Sequence, residues 1–151
     1  MPRPTKQAAT TGDIAPQTLV IDNGAYEIKA GFAAADANAG ATAIPNCIAR
    51  GPDGPRSMKV YVGDQLDACK DFAEMTFRRP VEKGFVVSWD GQMDIWKQAF
   101  FNRGAKLECD PRSTNLILTE APNCPQPLQQ NTDQIIFEEL EVASAYRCIG
   151  P

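Results

Sequence analysis

Apolar residues fall in short bursts along this chain, and the period of each burst predicts an element. Thr18-Leu19-Val20-Ile21 is a continuous run, the pattern of a strand buried on both faces. It meets Asp22-Asn23-Gly24, a hairpin signal because Asn-Gly readily accepts positive φ. Strict alternation follows, with Tyr26, Ile28, Ala30 and Phe32 on one face and Glu27, Lys29 and Gly31 on the other. That predicts a half-buried return strand. Residues 33–42 read as a loop of small residues, and 43–50 as a third strand that Pro45 places at an edge. Gly51-Pro52-Asp53-Gly54-Pro55 is turn chemistry. Val60-Tyr61-Val62 reads as a small strand, with Asp64 capping a short helix over 65–72. Breakers crowd residues 47–78, so this stretch reads as a smaller, mobile subdomain on the main sheet.

The second half is more regular. Ser88 is a good N-cap, Asp90 favours the helix dipole, and Trp89, Met93, Trp96 and Phe100 recur at helical spacing before Arg103-Gly104. Such a stripe is core more often than a binding face. Residues 115–119 read as a buried strand, and Pro125 and Pro127 as stiffening a loop. Asn131-Thr132 caps a helix through 134–139, and 142–149 closes the order as a strand. An antiparallel opening followed by β–α–β crossovers predicts a mixed α/β sheet with flanking helices. Residues 1–17 carry no period and read as a flexible leader.

Composition narrows the chemistry. The 151 residues suffice for one domain, and the formal charge is −4, from 15 Lys+Arg against 19 Asp+Glu. No basic stripe offers phosphate contacts, so direct nucleic-acid binding is not expected. The absence of histidine removes Ser/His/Asp and Cys/His nucleophile systems and His-based zinc sites. The five cysteines, Cys47, Cys69, Cys109, Cys124 and Cys148, lack close zinc-type pairing and read as small buried hydrophobes. No run of about 18 apolar residues would span a membrane, and no apolar run follows Arg3 and Lys6 to make a secretory signal.

The strongest candidate site is the segment from Asp22 to Lys29. A tight turn can converge backbone N–H groups on an anion, and a carboxylate at the incoming strand's end can hold Mg²⁺ through water. A lysine on the return strand adds positive charge. Asp22, Asn23, Gly24 and Lys29 are therefore the candidate phosphate-binding residues, with Asp22 the candidate metal contact. An ordinary turn with a surface lysine has the same spacing. Glu138, Glu139 and Glu141 read as a solvated helix end, and Arg78-Arg79 as a surface pair.

Longer motifs carry a resemblance. Leu19-Val20-Ile21-Asp22-Asn23-Gly24, with Lys29-Ala30-Gly31-Phe32, resembles the first phosphate loop of the actin family. Tyr61-Val62-Gly63-Asp64, Arg79-Pro80-Val81-Glu82-Lys83-Gly84, Trp89-Asp90 with Ile95-Trp96, Leu118-Thr119-Glu120-Ala121-Pro122-Asn123 and Phe137-Glu138 are similar to further stretches, in the same order. The resemblance implies an actin-like, ribonuclease H-like fold with a small inserted subdomain, the first half of the actin/hexokinase/heat-shock-type ATPase architecture. Ala25-Tyr26, Ile44-Pro45-Asn46-Cys47, Glu138-Glu139 and Tyr146-Arg147-Cys148 resemble the actin-related branch found in nuclear Swr-type chromatin remodelling complexes.

That resemblance implies a non-catalytic scaffold. It would dock other subunits of a complex that exchanges a histone variant into nucleosomes, among them a zinc-HIT-finger protein, and would meet the nucleosome indirectly. The implied location is the nucleus, and also the cytoplasm. Where actins have a hydroxyl residue and a glycine after Asp-Asn-Gly, this chain has Ala25 and Tyr26, and the water-activating glutamine falls near Gly150. Turnover is therefore not expected, and Tyr26 is expected to crowd the loop. Actin-like chains are considerably longer and have two halves, so residues 18–151 read as the N-terminal lobe with the second lobe absent. ATP or ADP with Mg is expected of the full-length protein and not of this segment. The alternatives are an ATP-binding or ATP-hydrolysing cytoskeletal protein, and an unrelated module presenting Trp89 and Trp96 to a partner.

Overall fold

The computed structural model describes residues 17–33, 40–52, 57–69 and 72–150. The expected leader, apart from Gln17, lies outside them, as do residues 34–39 of the expected loop and 53–55 of the expected turn. The first strand, β1 (Gln17–Asn23), pairs antiparallel with β2 (Glu27–Phe32), which pairs antiparallel with β3 (Thr42–Pro45). The single strand expected over 43–50 is two. β3 ends at Pro45, which lacks a ladder donor, and after Asn46 and Cys47 the chain enters another sheet as β4 (Ile48–Pro52).

β5 (Met58–Val62) returns along β4, and a short 3₁₀ helix follows over Gly63–Ala68, shorter than expected and with Asp64 inside its first turn. β6 (Thr76–Arg78), which the pattern did not predict, pairs with the other edge of β4. This three-stranded sheet buries Cys47, Ala49, Tyr61 and Leu66 in a small core of its own. β7 (Val81–Glu82) and β8 (Phe85–Val86) form a two-stranded hairpin. Its central residues, Lys83 (φ 52°) and Gly84 (φ 86°), both have positive φ, the condition for a twist-matched two-residue turn.

The tryptophan helix, α1 (Trp89–Trp96), widens into a π-type turn over Lys97–Phe101. Ser88 occupies its N-cap without a side-chain hydrogen bond. β9 (Thr114–Glu120) follows, then α2 (Gln126–Gln134), a second π-type turn over Ile135–Glu139, and β10 (Ser144–Ile149). α2 starts several residues earlier than predicted. Pro125 is its N-cap and Pro127 lies in its first turn, where an N–H has no intrahelical partner to lose, so the prolines begin the helix rather than stiffen a loop.

The main sheet has the order β10-β9-β1-β2-β3, parallel from β10 to β1 and antiparallel beyond it, which is the expected mixed sheet. Leu19 and Ile21 of β1, Ile28 of β2 and Leu116 of β9 share one core with Met93, Trp96, Phe100 and Ile136 from the helices. Each such aliphatic side chain contributes about 1.5–3 kcal/mol by leaving water. Burial is one-sided, since Val20 remains partly exposed between the fully buried Leu19 and Ile21. The Trp89–Phe100 stripe faces this core, with Trp96 and Phe100 fully buried, which removes the reading of an exposed tryptophan surface. No helix among the described residues is long and apolar enough to cross a membrane.

Candidate functional site

The β1–β2 turn works by close approach rather than by positive φ. Among the described residues positive φ occurs at Lys83, Asn123 and Glu141 and at Gly63, Gly84 and Gly104, but not at Asn23 or Gly24. Gly24 is needed because a Cβ there would lie 2.6 Å from the carbonyl oxygen of Glu27. Gly24→Ala is therefore expected to destabilise the protein by about 1–3 kcal/mol, as overpacking does. An unchanged urea midpoint would show that the turn relaxes freely.

Beneath the turn lies a buried polar network. Asn23 Nδ2 donates to Gln92 Oε1 at 3.0 Å, and Trp96 Nε1 donates to Asn23 Oδ1 at 3.1 Å. Gln92 Nε2 donates to Asn46 Oδ1 at 3.1 Å, and Asn46 Nδ2 donates to the carbonyl of Gly24 at 2.8 Å. Gln92 and Asn46 are fully buried, so these bonds satisfy groups that would otherwise be costly. Asn23 thus has an acceptor and a donor committed to the fold, and its side chain positions the turn. Gln92 and Asn46 were not predicted as site residues. The available signal was a glutamine between Trp89 and Trp96 on an otherwise apolar stripe.

Arg79 holds the turn from outside. Its Nη1 donates to the carbonyl of Tyr26 at 2.9 Å, and its guanidinium stacks on the Tyr26 ring with the carbon 4.4 Å from the centroid. Tyr26, 75% exposed, therefore turns away from the turn's interior and does not crowd it. It is also outside β2, contrary to the expected alternation. Arg79 is not half of a surface pair. With the Tyr26 and Gly24 carbonyls taken by Arg79 and Asn46, the amides of Ala25 and Tyr26 donate to no described group.

A cleft of about 250 Å³ opens at the carboxyl ends of β1 and β9. Ligands of open α/β sheets characteristically bind in such crevices. Asp22, Asn23 and Gly24 line it together with Thr119, Glu120 and Gly150. The Thr119 hydroxyl donates to Asp22 Oδ1 at 2.7 Å, leaving the other carboxylate oxygen without a partner among the described residues. Lys29 stands opposite Asp22 in the β1–β2 register but is exposed and does not line the cleft. The sheet thus brings together three of the four predicted binding residues.

Glu120 is paired at the cleft, where Arg147 Nη1 donates to its Oε1 at 3.0 Å while Arg147 Nη2 reaches Asp133. Gly150 donates its N–H to the Glu120 carbonyl. The Trp89 indole N–H is buried at the cleft wall without a partner among the described residues. Burial raises the thiol pKa of Cys124, with Glu120 adding to it and Arg147 opposing it. Cys47 is also pushed up by burial, against the field of Arg79. Thiols displaced in that direction are poor nucleophiles at neutral pH. Of the acidic cluster, Glu138 and Glu139 are exposed as expected, while Glu141 pairs with Arg112.

Comparison with known proteins agrees with this architecture. A profile of the actin family, described simply as "Actin", matches residues 15–151. Actin-related protein 6 of Neurospora crassa is 51% identical over 148 residues, covering 97% of this chain and 32% of that protein. The actin-like protein arp6 of Aspergillus fumigatus is 40% identical, covering 99% of this chain and 35% of its own length. Actin-related protein 6 of Oryza sativa subsp. indica is 39% identical over 81% of this chain and 27% of that protein. The chain thus spans about a third of the length of these curated relatives. With the mixed sheet, the turn after β1 and the cleft beside it all in the same order as the motifs that resemble actins, the chain belongs to the actin family as an actin-related protein.

Proposed function

We propose that this chain is part of a non-catalytic, actin-like scaffold subunit of a nuclear Swr-type chromatin remodelling complex that exchanges a histone variant into nucleosomes. The observation that carries the reading is the 51% identity to a protein named actin-related protein 6, extending over nearly the whole chain. Other remodelling subunits, including a zinc-HIT-finger protein, are the proposed partners, with the nucleosome met indirectly. The nucleus is the proposed location, with a share in the cytoplasm.

The cleft supports nucleotide binding better than nucleotide chemistry. The amide of Ala25, at the cleft wall, is available to a phosphate, and the unpaired oxygen of Asp22 suits a hydrated Mg²⁺. When bound, Mg²⁺ would neutralise phosphate charge, and Asp22 would hold it through water. Gly150 and Ala25 have no side-chain group to activate water or donate to a terminal phosphate, which supports binding without turnover. Lys29 requires a shift toward the cleft to contribute its charge.

The test uses the full-length protein. Calorimetry with Mg-ATP and Mg-ADP, a phosphate-release assay and purification from nuclear extract are run on one preparation. Co-purification with remodelling subunits and phosphate release at buffer level are the expected results. Sustained release, or ATP-dependent filaments without those subunits, would favour the cytoskeletal alternative instead.

A further inference from the structure

The three-stranded sheet carries its small core on one face, and its reverse face meets the main core at Ile48 and Val62 and is exposed beyond them. Register puts Ala49 opposite both Tyr61 and Phe77, on the side that contains the small core. Arg50 lies between Val60 and Thr76 on the reverse side, with Met58 opposite Pro52 and Arg78 opposite Ile48. Side chains directly opposite in antiparallel strands share a face, so Arg50, Arg78, Val60 and Met58 form one surface. Met58 is 54% exposed and Val60 51%. Neither Arg50 nor Arg78 has a carboxylate partner among the described residues, in a chain where acids outnumber bases 19 to 15.

We infer that this face docks an acidic, apolar-studded segment of a partner protein, its carboxylates meeting Arg50 and Arg78 and its apolar side chains covering Val60 and Met58. Two unpaired guanidiniums beside exposed aliphatic residues match that chemistry on both counts. Other occupants fit less well. Nucleic acid needs a run of cations, whereas this face interleaves two with apolar residues on a chain of charge −4. A second copy packed about a two-fold axis would set these arginines against themselves. The N-terminal residues 1–16 carry Arg3 and Lys6 against Asp13, the wrong balance to complement the face. This surface is separate from the cleft and goes beyond the nucleotide reading.

The experiment uses fluorescently labelled twelve-residue peptides, titrated into the full-length protein by anisotropy. One alternates Glu with Leu, one alternates Lys with Leu, and a short DNA duplex is the third probe. The Glu-Leu peptide is expected to bind, to weaken with salt, and to lose about tenfold or more in affinity in Arg50→Glu/Arg78→Glu. Val60→Thr should weaken it less, and Arg103→Glu, an exposed arginine elsewhere, should leave it unchanged. All three variants change exposed positions, so matching thermal melts check that folding is intact. Equal affinity of the double variant and Arg103→Glu would overturn the inference. So would tighter binding of DNA or of the Lys-Leu peptide, or self-association abolished by Arg50→Glu/Arg78→Glu.

Discussion

Trp96→Ala lowers the stability of this protein by about 3–5 kcal/mol, the range for deleting a buried aromatic ring. Trp96 has no exposed surface and shares the central core with Leu19, Ile21 and Leu116. Truncation leaves a cavity between α1 and the sheet, removes the edge-to-face contact with Trp89 at 6.0 Å, and strips Asn23 Oδ1 of its donor. Domains of this size are stable by only about 5–15 kcal/mol, so the loss is a large share of the total. Chemical unfolding of wild type and variant measures it. Trp96→Phe keeps one six-membered ring in the core but removes the pyrrole ring with its N–H, so a smaller loss of about 1–3 kcal/mol is expected. A Trp96→Ala loss below about 1 kcal/mol would mean that the core closes around the gap.

Gln92→Leu is the second large effect, and its cause is polar. Leucine nearly matches the volume but leaves the half-buried Asn23 Nδ2 and the fully buried Asn46 Oδ1 without their partners. Each unsatisfied group costs about 1–3 kcal/mol, so a loss of about 2–4 kcal/mol is expected. The double variant Gln92→Leu/Asn46→Leu should lose clearly less than the sum of the single losses, because the second substitution removes a group that the first had orphaned. Additive losses in that cycle would argue that the two amides act independently.

The sheet was legible because its strands carry their own period: β1, β2 and β9 are short apolar or alternating runs between turns. β6, β7 and β8 were not, since two or three residues with an exposed face hold no period to read. The start of α2 was misplaced because Asn131 and Thr132 look like caps, while Pro125 and Pro127 do the work of starting the helix. In the site, Asp22, Asn23 and Gly24 were found from a turn signal, although Gly24 serves for a different reason than the one that suggested it. Asn46, Gln92 and Arg79 act across sequence separations of 22 to 69 residues. Only the packing of β1, α1, the loop after β3 and the segment after β6 makes them neighbours.

The parallel pairing of β1 with β9 has a further consequence for synthesis of the chain. Asp22 meets Thr119 across a separation of 97 residues. β1, β2 and β3 can zip locally as soon as they emerge, but the other edge of β1 has no partner until β9 arrives. At translation rates of about 5–20 residues per second, that edge stays open for roughly 5–20 seconds. β1 also carries Leu19 and Ile21, which are fully buried in the finished fold. An open apolar edge is a template for intermolecular strand pairing. The nascent chain therefore passes through a window in which one edge of β1 is open to foreign strands before its own partner has been made.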